Sequence, residues 1–315
     1  MKSVTYPKMA TMRHDSILVI GGSGFIGSHI VAQLAATGRR VIVPTRRPHR
    51  TRHLTVLPTV QLVEADVYDP RALDRLVQRA DAVINLVGVL HSSSGTPWGP
   101  AFEHAHVELP RRLVAACQRK GITRFLHMSA LGADEHGPSM YQRSKAAGEK
   151  IISSATDLEV TTFRPSVVFG PEDKFLNMFA QLQAVLPVLA LGGVQTKFQP
   201  VFVGDVAQAF VQALENIDTI GQIYELIGPT VYSMKELLHL AGVYSGHPRP
   251  VIELPAALAR IQAFMLEHVP GGPIMSRDNL DSMKVDNVAT GRHFTPPAWH
   301  PTPLEAVAPR YLAPH

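Results

Sequence analysis

Apolar positions along this chain alternate between short continuous runs and stripes at helical spacing. The run over 16–20 leads into Gly21, Gly24 and Gly27, and then into Ile26, Ile30, Val31 and Leu34, whose three- and four-residue spacing predicts a helix with one buried stripe. Gly38 offers a C-terminal stop, and residues 41–43 predict a second strand. Residues 60–63 predict a third strand running out at Glu64, Ala65, Asp66 and Val67, with Leu73, Leu76 and Val77 marking the inner face of the next helix. Residues 81–88 are near-continuously apolar, as a parallel strand buried on both faces must be. The stretch 91–100, with three serines, two glycines and two prolines, predicts a loop in which Trp98 touches a ligand or covers the base. A helix over 107–120 closed by Gly121, a strand over 124–129, a helix over 141–154 and a strand over 160–164 follow. Six strands alternating with helices predict an α/β fold with a doubly wound parallel sheet.

Beyond Pro165 the alternation fades. Helices are expected over 175–186, 205–214 and 254–268, and together they predict a small C-terminal substrate or lid lobe. The expected organisation is a flexible leader over 1–15, a nucleotide-binding core over 16–165, a C-terminal lobe over 166–290 interleaved with that core, and a Pro-rich tail over 291–315. In the leader Met9 and Met12 are alternative starts. The last twenty residues hold six prolines, so the tail is expected to be extended. The helix over 254–268 has few charges and is expected to pack on the lobe, with docking on a membrane or protein as the alternative.

Composition narrows the function. With 45 % hydrophobic and 18 % charged residues among 315, a full core can be buried. The net charge is only +4 and the basic residues are not interleaved with aromatic ones, which argues against a nucleic-acid surface. A single cysteine, Cys117, falls on a helical stripe and reads as a core thiol, which suits a reducing, cytoplasmic setting. No apolar run reaches membrane-spanning length. Fifteen histidines raise the question of a metal, but His104 and His106 stand two apart and point away from each other on a helix, and no ligand motif is present. His127, within a strand, is expected to be a core histidine.

The glycine loop carries chemistry. Strand, Gly21–Gly24–Gly27 and helix in that order form the Rossmann-type dinucleotide loop: Gly21 permits the tight turn, Gly24 lets backbone approach the phosphates, and Gly27 lets helix and strand pack closely. Ser23, Phe25 and Ile26 are expected to line the same site. An NAD site usually places an acid about twenty residues on, at the end of the second strand. No Asp or Glu occurs from Ser16 to Val63; Arg46 and Arg47 stand there instead, which predicts NADP(H) in preference to NAD(H). Arg50 and Arg52 are expected to be merely solvated.

Tyr141 and Lys145 lie four apart, on one helix face. A free phenol titrates near ~10, and a neighbouring ammonium is expected to lower that value and to reach the nicotinamide ribose. Ser129, at the end of the fifth strand, is placed to orient a substrate carbonyl. These residues, with Asp66-Val67, 85–88, Gly148-Glu149 and 164–171, resemble the short-chain dehydrogenase/reductase superfamily in its extended, epimerase/dehydratase-like and atypical branches. Residues 43–48, 175–179 and 199–206 are most similar to the group typified by the NADPH-binding accessory subunit (alpha subcomplex subunit nine) of mitochondrial complex I.

The resemblance implies that Asp66 and Val67 bracket the adenine, that Leu86, Val87 and Gly88 line the cofactor, and that Pro165 touches the nicotinamide end. Ile20, in place of a frequent threonine, His106, in place of a frequent asparagine, and Ala130-Leu131 after Ser129 depart from the pattern. The expected function is Tyr/Lys-assisted hydride transfer to a small hydrophobic carbonyl or quinone-like substrate. The alternatives are a non-catalytic NADPH-binding structural or assembly factor, with a respiratory or membrane-associated partner at the inner membrane, and a nucleotide-sugar epimerase or dehydratase.

Overall fold

The computed structural model describes residues 14–269 and 274–314; the expected leader falls almost wholly outside them. Seven parallel strands make the central sheet: β1 (Ser16–Ile20), β2 (Arg40–Thr45), β3 (Val60–Glu64), β4 (Ala82–Asn85), β5 (Arg124–Met128), β6 (Glu159–Pro165) and β7 (Ile223–Leu226). Their order is β7-β6-β5-β4-β1-β2-β3, so the chain reverses direction across the sheet between β1 and β4. That is the doubly wound arrangement, and its switch point opens a crevice at the strand C-termini. The count corrects the six strands expected. β7 escaped notice because it is short, carries the buried Glu225 in its middle, and comes from the region where alternation had faded.

One sheet face is covered by α1 (Phe25–Ala36) and the other by α2 (Pro70–Val77), α3 (Leu109–Lys120) and α4 (Met140–Ser153). The first face is completed by α6 (Val203–Glu215), which comes after α5 (Leu176–Val185) and contributes Val206, Phe210 and Leu214 to the core beneath α1. Cys117 is buried in the opposite cluster, as its stripe position implied. Residues beyond Pro165 thus finish the sheet and its cover as well as building a lobe over its C-terminal edge.

The lobe has its own core, formed by α5, α7 (Met234–Tyr244) and a terminal helix that corrects the extended tail. Between them in sequence lie α8 (Ala256–Glu267) and α9 (Arg277–Ser282). The terminal helix, α10 (Leu304–Leu312), buries Leu304, Ala308 and Leu312 at four-residue spacing despite Pro309 within it. Asp205 accepts from Thr302 N at 2.6 Å and from Thr302 Oγ1 at 3.0 Å, and Tyr311 donates to Asp173 at 2.7 Å. Prolines mark where the tail turns; apolar spacing decides where it folds.

α8 differs from expectation in the opposite way. Only Ala259 and Ala263 are fully buried, while Leu258, Ile261, Phe264 and Met265 are 50–60 % exposed. α8 therefore packs through its small residues, Ala259 and Ala263, while its larger apolar side chains look outward.

Candidate active site

The glycine loop follows directly from β1. Gly21 has φ +84, a conformation that favours glycine. A Cβ on Gly27 would stand 2.3 Å from Gly21 O, so α1 and the loop can approach this closely only without a side chain there. Around Gly24 the one atom within 4 Å of such a Cβ is Gly21 O at 3.3 Å, leaving the loop's outer side open. The start of α1 has no side-chain cap and no acid in its first turn. By contrast, Asp69 caps α2, and Ser139, Ser233 and Ser276 cap α4, α7 and α9. Uncapped amides at the start of α1, with no acid in its first turn and a glycine loop that leaves room beside it, fit a dinucleotide pyrophosphate. Ser23, Phe25 and Ile26 are each partly exposed on this turn.

The remaining cofactor candidates lie along the same edge. Arg46 and Arg47 are exposed just past β2, where Thr45 Oγ1 accepts from Arg47 N at 3.2 Å. Asp66 is exposed past β3 and accepts from Tyr68 N at 3.0 Å; Val67 is half-buried beside it. Leu86, bonded through its amide to Ile20 O at 2.9 Å, Val87 and the exposed Gly88 continue from β4. Pro165 ends β6, its carbonyl accepting from Leu131 N at 2.9 Å. The strand ends thus set these positions in one row, from β3 to β6. Arg50 and Arg52 have side chains outside the description.

Lys145 is buried, and its Nζ donates to Met128 O at 3.3 Å while standing 3.1 Å from where a Cβ on Gly88 would be. Ser129, the residue after Met128, is buried with its Oγ lacking any hydrogen-bond partner, although Ser129 N donates to Phe163 O at 2.7 Å. A buried unpaired hydroxyl is costly and fits a site that a ligand oxygen completes. Tyr141 sits one turn before Lys145, with the ammonium 6.0 Å from its ring centroid. The ring is bordered by Phe102 at 6.0 Å and His106 at 5.6 Å.

These surroundings correct one expectation. Burial pushes the Tyr141 phenol up to about 12, and no lowering by Lys145 offsets it. Burial likewise pulls Lys145 down to about 8, against the opposing pull of Glu149. At neutral pH the phenol therefore holds its proton.

His106 is the neighbour whose role spacing alone did not reveal. It lies on a π-helical turn, Glu103–Glu108, just before α3. Ser144 Oγ donates to Tyr141 O at 2.9 Å, so His106 Nδ1 must donate to Ser144 Oγ at 2.9 Å, while Nε2 accepts from Val89 N at 3.0 Å. Both ring nitrogens are thereby assigned. Burial, then the charges of Lys145 and His127, hold His106 down at about 2, so it is neutral. His104 points elsewhere, as the two-residue spacing implied, stacking on Tyr68 at 3.6 Å. His127 is buried against Asn85 Nδ2 at 3.3 Å and is held down at about 3 by burial and Lys145.

Beside the start of α4 a cleft of about 770 Å³ separates the loop over 91–99 from α8 and α9. Arg143, Arg260, Glu267, Arg277, Asp278 and Asp281 line it. Most are paired: Arg277 with Glu267 at 3.0 Å, and Arg260 with Asp281 at 3.1 Å. Six charged side chains fit the small hydrophobic carbonyl or quinone-like substrate expected poorly in this cleft, because an apolar ligand would strip water from ionic groups without replacing it. His91 also faces this cleft, with Nδ1 buried and unpartnered. Among the described residues no cluster of His, Cys, Asp or Glu is arranged to hold a metal ion.

Comparison with known proteins agrees with this architecture. The chain is 31 % identical over 273 residues to the mitochondrial NADH-ubiquinone oxidoreductase 40 kDa subunit of Neurospora crassa, covering 86 % of this chain and 71 % of that one. It is 34 % identical over 290 residues to the mitochondrial NADH dehydrogenase [ubiquinone] 1 alpha subcomplex subunit 9 of Arabidopsis thaliana, covering 86 % and 70 %. A ceramide reductase of Caulobacter vibrioides is 32 % identical over 204 residues, covering 64 % and 62 %. Among solved structures, the Thermus thermophilus UDP-glucose 4-epimerase complex with NAD shares the fold, with TM-score 0.62, 23 % identity and coverage of 85 % and 99 %. Residues 17–226 match the model of the NAD dependent epimerase/dehydratase family, and the chain belongs to that family.

Proposed function

We propose that this protein is an NADP(H)-dependent reductase acting on the carbonyl of an amphiphilic substrate. The observation that carries the reading is the placement of Lys145 Nζ, bonded to Met128 O at 3.3 Å, one residue from the unpaired hydroxyl of Ser129. NADPH, when bound, would supply the hydride for the carbonyl carbon. Ser129 orients the carbonyl oxygen, and Tyr141 gives its phenolic proton to that oxygen as C=O becomes CH–OH. A phenol held at about 12 is protonated at neutral pH, as a proton donor to the carbonyl oxygen has to be. Lys145 holds the cofactor ribose and provides positive charge while protonated.

Arg46 and Arg47 support NADPH, since guanidinium groups take a phosphate bidentately and no Asp or Glu occurs from Ser16 to Val63. The charged cleft and the outward apolar face of α8 support a substrate with both a polar head and an apolar part. That one relative is named a ceramide reductase fits the same class.

The second reading is a non-catalytic NADPH-binding accessory factor of a respiratory complex at the inner membrane, with α8 docked on its partner. It is favoured by two relatives named as subunits of NADH–ubiquinone oxidoreductase and by the exposed face of α8. No described helix is long and apolar enough to cross a membrane. Epimerase chemistry is the reading that the basic end of β2 supports least.

Loss of NADPH absorbance decides between the two. Wild type and Tyr141→Phe are offered long-chain keto-amides, quinones, enones and aldehydes. Turnover that falls by about 100-fold in Tyr141→Phe, with NADPH affinity kept, is expected for the reductase. Tight NADPH binding without turnover in either protein favours the accessory role.

A further inference from the structure

The first turn of α4 is held from the far end of the chain. A helix leaves its first backbone N–H groups without intrahelical partners. In α4, Ser139 and Gln142 form a reciprocal capping box, with Gln142 N donating to Ser139 Oγ at 3.1 Å and Ser139 N donating to Gln142 Oε1 at 3.2 Å. Arg143 N donates to Ser139 O at 3.2 Å. That leaves the amides of Met140 and Tyr141. Both donate to one carboxylate, Asp278, at 2.7 Å to Oδ1 and 3.1 Å to Oδ2.

Asp278 is not needed where it originates. α9 has its own capping box, Ser276 with Asn279. α9 is tied to α8 by the Arg277–Glu267 and Arg260–Asp281 ion pairs, which flank Asp278. α8 in turn is seated through Gln262, which donates to Ala190 O at 2.7 Å, and through Ala259, packed where a Cβ on Gly192 would be only 2.4 Å away. A continuous mechanical path therefore runs from the lobe through α8 and α9 to Asp278 and the helix bearing Tyr141 and Lys145. Asp278 is 7 % exposed, and its carboxylate is taken up by the two amides of α4.

We propose that Asp278 is a positioning residue. Its bidentate grip on the amides of Met140 and Tyr141 sets where the phenol and the ammonium stand against the ends of β4 and β5, and it couples that placement to the lobe wall of the cleft. The inference rests on the reductase reading for its effect on turnover. The grip itself does not. A carboxylate is suited to the task, because charge-assisted bonds at a helix N-terminus are strong and the helix dipole favours negative charge there. Reaction geometry is sensitive enough to matter: a misplacement near 1 Å costs about 100-fold in rate.

The test compares wild type with Asp278→Asn and Asp278→Glu in the full chain. Asparagine preserves shape but loses the charge and one of the two acceptors. Glutamate keeps both acceptors, one methylene displaced. Asp278→Asn is expected to lower kcat by about 100-fold while KM and NADPH affinity stay within about twofold, with Asp278→Glu recovering part of the loss. Amide exchange of residues 140–142 is expected to accelerate in Asp278→Asn and less so in Asp278→Glu. Unchanged kcat in Asp278→Asn, or a change in KM alone, overturns the positioning role. A wild type that reduces no carbonyl removes the reductase reading; exchange then decides the grip by itself, and unchanged rates at 140–142 overturn it.

Discussion

At the scale of single residues, the site is a set of ionisable groups whose charges are set by burial more than by one another. Lys145 shows this best, since it is buried and its pKa falls from an ordinary 10.5 to about 8. The sign of the consequence follows from proton binding. Between about 8 and 10.5 the unfolded chain binds the Lys145 proton and the folded chain does not, so this group makes stability rise with pH across that window. Below about 8 the folded protein must hold a buried ammonium, at a cost of about 3 kcal/mol for a shift of this size. Lys145→Met removes that cost. The variant is therefore expected to be more stable than wild type at pH 7, with the difference closing as pH approaches 10.5. Chemical denaturation of both proteins without cofactor, across pH 7 to 10.5, checks this; a difference that does not vary with pH rules it out. Tyr141 and Lys145 could be read from their spacing alone, but their titration could not. Helix periodicity places a phenol near an ammonium; it does not say that Phe102 and His106 dry the phenol, or that the ammonium turns toward Met128 O and Gly88.

At the scale of elements, what could be read in advance was what local sequence controls. The β1 loop and α1 announce themselves because Gly21, Gly27 and the stripe from Ile26 to Leu34 act within twenty residues of each other. β7 and α10 do not, since each is stabilised by distant partners: β7 by pairing with β6, and α10 by the lobe core. The prolines of the tail outweighed Leu304, Ala308 and Leu312 in a local reading, yet burial of those three residues decides the outcome. Asp278 was out of reach for the same reason, standing 137 residues from Tyr141. The contribution of α10 is measurable. Leu304 is 2 % exposed within the lobe core, so Leu304→Ala is expected to cost about 2–5 kcal/mol. Because its partners lie in the lobe and not in the glycine loop, NADPH affinity of the folded fraction should be unchanged. A denaturant midpoint equal to that of wild type would show that α10 rests on the lobe without supporting it.

At the scale of the whole molecule, the C-terminal edge of the sheet is one continuous platform, and the question is which dinucleotide it was shaped to receive. The glycine loop and the end of β4 lie at the switch point and, in the proposed reading, take the features that NADH and NADPH share. Discrimination must come from the end of β2, where the 2′ position of the adenosine ribose is read. Arg46 and Arg47 are exposed there, free of steric cover, and the charge of Arg46 extends to Tyr68 beside Asp66. A charge-assisted hydrogen bond to phosphate contributes about 1.5–3 kcal/mol, so two such residues account for at least a 100-fold preference. Arg46→Ala/Arg47→Ala is accordingly expected to weaken NADPH binding by about 100-fold or more and to leave NADH binding nearly unchanged. Thermal stability offers an independent readout, because a ligand at 100 times its Kd stabilises the folded state by about 2.7 kcal/mol, a gain that NADPH should confer on wild type and largely fail to confer on the double variant at the same concentration. If instead NADH and NADPH stabilise wild type equally, and the substitution weakens both alike, the two arginines act as a general electrostatic funnel and the 2′-phosphate is not what this edge selects.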